Sequence, residues 1–97
     1  MHVTVLVEAR VKVEKVETFK TVMRDEILPV TRKYDGCQTL VMTQNQDDAK
    51  HFVLVETWTS RGHYDRYLAW RKERGDLDRI LPMLSEPPTF KFFDAVG

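Results

Sequence analysis

The amino-acid sequence predicts an α+β fold with strands and helices in the order β-α-β-β-α-β. Apolar residues alternate over residues 3–13, recur every three or four positions over residues 15–34, and form two strands around a polar turn within residues 37–57. A second helix over residues 60–74 and a strand over residues 89–96 follow. Two split β-α-β units form a four-stranded antiparallel sheet with both helices on one face, the ferredoxin-like arrangement.

The first strand is predicted from apolar residues at every odd position of residues 3–13, which places them on one side of a sheet. The first helix is predicted over residues 15–34, with Pro29 inside it. Proline removes one backbone donor and crowds the carbonyl of Asp25, but the apolar stripe continues in phase through Val30 and Tyr34, so we expect one kinked helix rather than two helices. Gly36 is expected to end this helix because glycine readily adopts the left-handed conformation of a C-terminal cap.

The later elements are predicted from turn and cap residues, which punctuate the apolar patterns. Ser60 is suited to cap the second helix, since its hydroxyl can accept a free N–H of the first turn. Strands are predicted over residues 37–45 and 51–57, followed by a helix from Ser60 to about Arg74 that Gly75 ends. A short helix then begins at Asp76, with one face formed by Leu77, Ile80, Leu81 and Leu84. The last predicted strand covers residues 89–96.

Length and composition are typical of one soluble globular domain over residues 1–97. Lys plus Arg equal Asp plus Glu at 15 each, so no net charge attracts nucleic acid or an anionic membrane. Cys37 is the single cysteine, which excludes an intrachain disulfide. Glu8 and Arg10 interrupt the first apolar stretch too early for a signal peptide, and no run of about 18 apolar residues could span a membrane. We therefore expect a cytoplasmic protein.

One face of the predicted sheet has no helix to cover it. We expect Leu6, either Leu40 or Val41, and either Phe92 or Phe93 to lie on that face. A small domain that exposes such an apolar patch can cover it with a second copy of itself. The sequence therefore predicts a homodimer that packs sheet on sheet.

Motifs for metal, phosphate and nucleophilic chemistry are missing from the sequence. His2, His51 and His63 are scattered without metal-ligand spacing, and the glycines lie singly, so neither a P-loop nor a dinucleotide fingerprint is present. Cys37 has no His or Asn nearby in sequence and is expected to be a small, half-buried residue. RNA-recognition domains share the element order, but the third strand lacks their Gly-aromatic pattern.

An aromatic cluster at the third strand and second helix is the most informative feature. In FVLVETWTSRGHYDRYLAW (residues 52–70), one helical stripe holds His63, Tyr67 and Trp70, and an adjoining stripe holds Tyr64. Such stripes are usually core. A core built for packing alone favours Leu, Ile and Val, whereas phenols, an indole and an imidazole bring polar tips to one place. The cluster is therefore either plain core or the wall of a pocket for a planar aromatic ligand.

The chain resembles the antibiotic biosynthesis monooxygenase family of the dimeric α+β barrel superfamily. The resemblance spans nearly the whole chain, and its most specific element is the E-x-W that precedes the second helix. The residues that carry it are Glu8-Ala9-Arg10, Asp35-Gly36-Cys37, the strand end from Val55 to Ser60 with Glu56-Thr57-Trp58, and PP-x-F-x-x-F from Pro87 to Phe93.

This resemblance implies a homodimeric barrel with a pocket in each subunit, in which a small phenol or hydroquinone is oxidised by O2 without a cofactor. In cofactor-free members the Trp of E-x-W and a Tyr six residues later contact substrate; here these are Trp58 and Tyr64. His63 and Tyr67 are candidate hydrogen-bonding partners of the substrate. Hydrogen bonds to a bound phenolate would stabilise the charge that develops as the ring gives an electron to oxygen.

Haem is disfavoured as a cofactor. A haem-degrading branch of the same family uses an Asn, a Trp and a His, and the corresponding positions here hold Ala9, Tyr67 and Leu77. No histidine follows His63, so the proximal iron ligand of that branch has no counterpart.

Two alternatives to an enzyme remain open from the sequence. A non-catalytic sensor or carrier would use the same pocket, and a purely structural barrel would have the aromatic residues as core. Glu56 and Arg10 are expected to form an interstrand ion pair of structural value.

Overall fold

The computed structural model describes residues 2–97 and confirms the ferredoxin-like fold. Four antiparallel strands form one sheet in the order β2-β3-β1-β4. The elements are β1 (Val3–Arg10), α1 (Val16–Val22), α2 (Leu28–Arg32), β2 (Cys37–Gln44), β3 (His51–Trp58), α3 (Arg61–Glu73), α4 (Asp76–Ile80) and β4 (Thr89–Phe93), with short 3-10 turns at Val13–Lys15 and Leu81–Met83. None of the helices within residues 2–97 is long and apolar enough to cross a membrane.

The first helical segment is continuous through Pro29, as predicted, but one turn before the proline is wider than an α-helical turn. A π-helical turn at Met23–Ile27 joins α1 to α2, and the backbone N–H of Leu28 donates to the carbonyl of Met23. Proline has no N–H to continue the α-helical pattern and crowds the preceding turn, so a wider turn relieves both problems. Met23 and Ile27 are both buried, which places this π turn in the core.

The predicted caps at Ser60 and Gly75 are confirmed, but Gly36 does not cap the first helix, which ends at Arg32, and lies instead in the turn before β2. The Ser60 hydroxyl accepts the backbone N–H of His63 at 3.2 Å and starts α3. Gly36 and Gly75 have φ angles of 94° and 84°, in the left-handed region where glycine avoids strain. A side chain on Gly36 would also collide with His63, whose Cβ lies 2.5 Å from the position that a Cβ there would take.

Three other predicted element ends are also wrong. The first strand ends at Arg10 rather than residue 13, because its partner β3 begins at His51, opposite Arg10. Val13 lies in a 3-10 turn and is exposed. The last strand ends at Phe93, whose partner Thr4 is near the start of β1. Leu84 lies beyond the short helix, in extended conformation, and forms an isolated bridge to Val11.

The two faces of the sheet differ in what covers them. The helices bury one face, where Leu40 is 4% exposed. On the other face, Val41, Val55 and Leu6 align across three neighbouring strands. Val41 and Phe93 are 56% and 45% exposed, so they, rather than Leu40 and Phe92, belong to the uncovered face.

Candidate functional site

A cavity of about 90 Å³ lies between the sheet and the helices. This is several times the roughly 10–15 Å³ that a single water needs. Most of its lining is aliphatic or aromatic, and the polar side chains in it are Thr31, Glu56, Tyr64, Tyr67 and Arg71. Leu81 and Phe90 also line it and are partly exposed, which places its mouth beside β4 and the 3-10 turn before it.

Glu56 reaches the cavity because of the period of β3. Alternate residues of this strand point to the helix-covered face, and there Glu56 follows Phe52 and Leu54, all of them buried. On α3, Tyr64, Tyr67 and Arg71 recur at steps of three and four and share the buried face. The cavity therefore brings a strand carboxyl and three helical polar groups into one apolar space.

Within residues 2–97, the Glu56 carboxyl is buried without a positive partner. It is 3% exposed, and Oε1 accepts the indole N–H of Trp58 at 2.9 Å. Within residues 2–97, the second oxygen has no hydrogen-bond partner. Every fully enclosed side-chain polar atom in that range does have a partner, so this oxygen is not fully enclosed. Since Glu56 lines the cavity, this oxygen is open to it. Burial raises the pKa of Glu56 to about 7, and the Trp58 hydrogen bond opposes that rise.

The expected ion pair between Glu56 and Arg10 is wrong. In the sheet Glu56 lies opposite Val5 and Leu40, whereas Arg10 lies opposite His51. The antiparallel register puts the two charged residues at opposite ends of the strands. Arg10 instead forms ion pairs with the acidic side chains of Asp48 and Glu86, at 3.6 Å and 3.2 Å.

Tyr64 and Tyr67 both line the cavity but differ in their hydroxyl groups. The Tyr67 hydroxyl lies 2.7 Å from Thr31 Oγ1 and accepts the Arg71 Nε–H at 3.0 Å. The Tyr64 hydroxyl has no hydrogen bond to any residue in the range 2–97. Burial, and then the charge of Glu56, raise the Tyr64 pKa far above its usual value, so this phenol stays protonated.

Arg71 joins the helices on the far side of Tyr67. Its Nη2 donates to the Ile27 carbonyl and to Thr31 Oγ1, both at 3.0 Å, and its Nη1 donates to Asp76 at 2.9 Å. Burial raises the pKa of Asp76, but hydrogen bonds from Arg71 and Arg74 outweigh this and hold the pKa below its usual value. The guanidinium charge is therefore neutralised by an ionised carboxylate.

Trp58 packs behind the cavity rather than lining it. It is fully buried, with ring centroids 5.2 Å from Tyr64 in an edge-on contact and 5.0 Å from Tyr67. Phe92 stacks edge-on against the other side of Tyr64, at 5.6 Å. The aromatic cluster is therefore part of the core and also part of the cavity wall, so the two alternatives that the sequence left open are both partly right.

Comparison with known proteins identifies the family. A family profile described as antibiotic biosynthesis monooxygenase matches residues 2–72. The chain belongs to this family. No curated protein matches it significantly.

Solved structures show the same fold. An antibiotic biosynthesis monooxygenase superposes with a TM-score of 0.87 and 24% identity, covering 98% of this chain and 99% of that one. A conserved protein from Methanosarcina mazei Go1 gives 0.86 and 18%, covering 96% and 91%. A point variant of SnoaB, a cofactor-independent oxygenase from Streptomyces nogalater, gives 0.82 and 16%, covering 97% and 92%. At these identities the likeness establishes the fold.

Of the four site residues predicted from the sequence, the cavity brings two together. Tyr64 and Tyr67 line it, and Trp58 reaches it through its hydrogen bond to Glu56. His63 does not line it; its Nδ1 lies 2.7 Å from Ser60 Oγ at the start of α3. A role for His63 in substrate binding stays a prediction. Sequence analysis missed Glu56 as a site residue, although a carboxyl on the buried parity of a strand was the available signal.

The lining does not fit a haem ligand set of the kind found in the haem-degrading branch of this family. Ala9 and Leu77 line the cavity with aliphatic groups, and the Tyr67 hydroxyl is engaged by Thr31 and Arg71. The cavity wall, as described for residues 2–97, includes neither histidine nor cysteine. That part of the chain also contains no cluster of three His, Cys, Asp or Glu residues suited to a metal ion.

Proposed function

We propose that residues 1–97 form one domain that oxidises a small phenolic or hydroquinone-type ring with O2 and without a cofactor. The observation that carries this proposal is a largely apolar cavity lined by Tyr64 and Glu56, where the Tyr64 hydroxyl and one Glu56 oxygen have no partner within residues 2–97. A space of this kind suits a flat ring with one or two hydroxyl groups, because the apolar walls take the ring and the open polar atoms take the hydroxyls. Family membership and the cofactor-independent fold relative support the reaction type.

The reaction balances without a further reductant. A phenol and one O2 give a quinone and one water, so one oxygen atom enters the ring, the other leaves as water, and the ring supplies the four electrons. In this reaction Tyr64 donates a hydrogen bond to the ring oxygen, where negative charge develops. Trp58 acts as a positioning residue that holds Glu56, and Tyr67 forms a wall whose hydroxyl is already occupied.

Tyr64→Phe tests the proposal with little disturbance of the fold. It removes a hydroxyl that has no partner within residues 2–97, so the free energy of unfolding should change by less than about 0.5 kcal/mol. Turnover should fall by about 10-fold to 1000-fold, as expected when one charge-stabilising donor is lost. Oxygen consumption across a panel of phenols and hydroquinones measures turnover, and urea unfolding measures stability.

Tyr67→Phe is the matched control, because its hydroxyl has two protein partners. It should lower stability by about 1–2 kcal/mol through those lost bonds. Wild-type protein that binds ring compounds, seen as a raised melting temperature, but consumes no oxygen would identify a sensor or carrier instead. Protein that neither binds nor oxidises any compound of the panel would favour a purely structural barrel.

We also propose that two copies pair through the uncovered sheet face. The apolar row of Val41, Val55 and Leu6, with Phe93 beside it, supports this assembly because water would otherwise cover it. Light scattering after gel filtration should give twice the 11.4 kDa of one chain. Val41→Glu should give monomers, whereas Gln44→Glu, at the exposed end of the same strand, should not. A monomeric wild type would refute the pairing.

A further inference from the structure

Glu56 is placed to do more than line the cavity. One carboxylate oxygen is fixed by the Trp58 indole N–H, and the other is open to the cavity without a partner among residues 2–97. A buried carboxyl that served only the fold would normally have both oxygens satisfied, because an unpaired buried polar atom is destabilising. Here the fixed oxygen sets the orientation, and the open oxygen faces the space in which a ring would bind.

The cavity itself opposes ionisation of a phenol. Burial in the same wall, and then the charge of Glu56, raise the pKa of Tyr64 far above its usual value. A substrate phenol in this space experiences the same desolvation and, without a base beside it, would keep its proton. Yet a neutral phenol is a much poorer electron donor to O2 than a phenolate. Oxidation in this cavity therefore needs a group that takes the proton at the moment the ring reacts.

We propose that Glu56 is the general base that removes the hydroxyl proton of the bound ring. This inference rests on the oxidation proposed above. The ring O–H bond breaks, its electron pair stays on the ring oxygen, and the proton forms a new O–H bond with the open oxygen of Glu56. The total charge of the site does not change, so a charge already buried moves from the carboxylate to the ring, where the Tyr64 hydroxyl can donate to it.

Among residues 2–97, no other ionisable group around Glu56 suits this role. Burial and then Glu56 raise the pKa of the Cys37 thiol on β2 to about 11, so it is protonated at neutral pH. The Tyr64 and Tyr67 hydroxyls on α3 are protonated for the same reason. Arg71 lines the cavity but is paired with Asp76. The strand residues opposite Glu56 are Val5 on β1 and Leu40 on β2, both apolar.

The proposal also narrows the substrate class. Proton transfer is easiest when the pKa of the acid approaches that of the base, and the Glu56 pKa is about 7, against about 10 for an unsubstituted phenol. Rings whose hydroxyl is acidified by a conjugated electron-withdrawing group, such as a carbonyl, are therefore favoured. Without oxygen, the fraction of bound phenol that wild-type protein ionises should rise along a series of phenols as their pKa falls from about 10 towards about 7.

Glu56→Gln distinguishes a role of Glu56 as general base from a role in stabilising the fold. The amide oxygen of Gln can still accept the Trp58 N–H, but the side chain cannot take a proton. The probe is 4-nitrophenol bound without oxygen at pH about 7, since its neutral and ionised forms differ in absorbance and no oxidation is required. Wild-type protein should bind part of it as the phenolate, with the proton on Glu56, whereas Glu56→Gln should bind it only as the neutral phenol. Glu73→Gln on the exposed surface of α3 is the control and should behave as wild type.

In air, Glu56→Gln should lower turnover by about 100-fold to 10,000-fold with favoured phenols. Equal ionisation of the probe in wild type and Glu56→Gln, or equal turnover, would overturn the assignment of Glu56. Ionisation that depends on Glu56 without any oxygen consumption would support the base and overturn the oxidation. A probe that does not bind at all would overturn both. If Glu56→Gln does not fold, wild-type turnover that is flat from pH 5 to 8 would overturn the base.

Discussion

Two sets of polar groups are buried in the layer between the sheet and the helices, and they differ in how completely they are paired. Around Arg71, the guanidinium is bonded to Tyr67, Thr31, Asp76 and the Ile27 carbonyl. Around Glu56, one carboxyl oxygen and the nearby Tyr64 hydroxyl have no partner within residues 2–97. The first set is closed and the second is open, although Tyr64 and Tyr67 lie less than one helical turn apart.

The difference indicates what each set is for. A closed network links α3 to α2 and the π turn, so its contribution is to the stability and the orientation of these segments. An open set lowers stability, since its polar atoms have lost water and gained nothing in exchange. A ligand with polar atoms of its own can supply the missing bonds. We therefore assign the structural role to the Arg71 network and the chemical role to Glu56 and Tyr64.

Arg71→Met should give the largest effect on stability. It leaves Tyr67, Thr31 and the Ile27 carbonyl short of a donor and removes the main cation from Asp76. Breaking a buried ion pair typically costs about 3–5 kcal/mol, and since Asp76 keeps its bond to Arg74 we expect about 2–4 kcal/mol. Urea unfolding measures it, with Arg74→Met as the control.

Arg74 is an exposed partner of the same carboxylate, so Arg74→Met should cost less than about 1 kcal/mol. Equal losses for the two arginine variants would mean that the closed network contributes nothing beyond a surface ion pair. The structural role that we assign to the closed Arg71 network would then be wrong.

Glu56→Gln should show that the open set lowers stability. Because the folded pKa of about 7 exceeds the usual 4.5, the folded state holds its proton more tightly. Its contribution to stability is therefore present at low pH and is lost as the pH rises from about 4.5 to about 7. At pH 8 the wild type should have lost on the order of 2–3 kcal/mol that the glutamine variant keeps.

Urea unfolding of both proteins at pH 4.5 and pH 8 measures this loss. The free energy of unfolding of Glu56→Gln, relative to that of wild type, should be higher at pH 8 than at pH 4.5. A difference that is the same at both pH values would show that the carboxyl is not destabilised by burial. The surface variant Glu73→Gln provides the baseline for a carboxyl in water.

His63→Gln should have the smallest effect. His63 packs over Gly36 and contacts Ser60 outside the cavity, and its backbone N–H, which Ser60 caps, survives the substitution. Turnover and KM should stay within about two-fold of wild type. A large rise in KM with unchanged stability would make His63 a substrate-binding residue, as predicted from the sequence.

The fold was predictable from the sequence because its signals are local. The alternation of residues 3–10, the Ser60 cap and the glycines at 36 and 75 each depend on a few neighbouring residues. The wrong strand ends had a different cause, since a strand ends where its partner does, and the partners of Arg10 and Phe93 are distant in sequence.

The site was predictable only in part. Helical spacing placed Tyr64 and Tyr67 on one face, but it could not show that Thr31 and Arg71 occupy one hydroxyl and leave the other open. Glu56 was paired with Arg10 by charge alone, whereas register and parity place them apart. Such distinctions depend on contacts between residues far apart in sequence.

A crystal structure of the protein with a bound phenol, grown without oxygen, tests the central claim most directly. The ring should occupy the cavity with its oxygen about 2.6–3.2 Å from the open oxygen of Glu56 and within hydrogen-bond reach of the Tyr64 hydroxyl. The bonds among Tyr67, Thr31 and Arg71 should be unchanged. A ring bound elsewhere, or one that displaces the bonds of Arg71 while leaving Glu56 without a partner, would contradict the account.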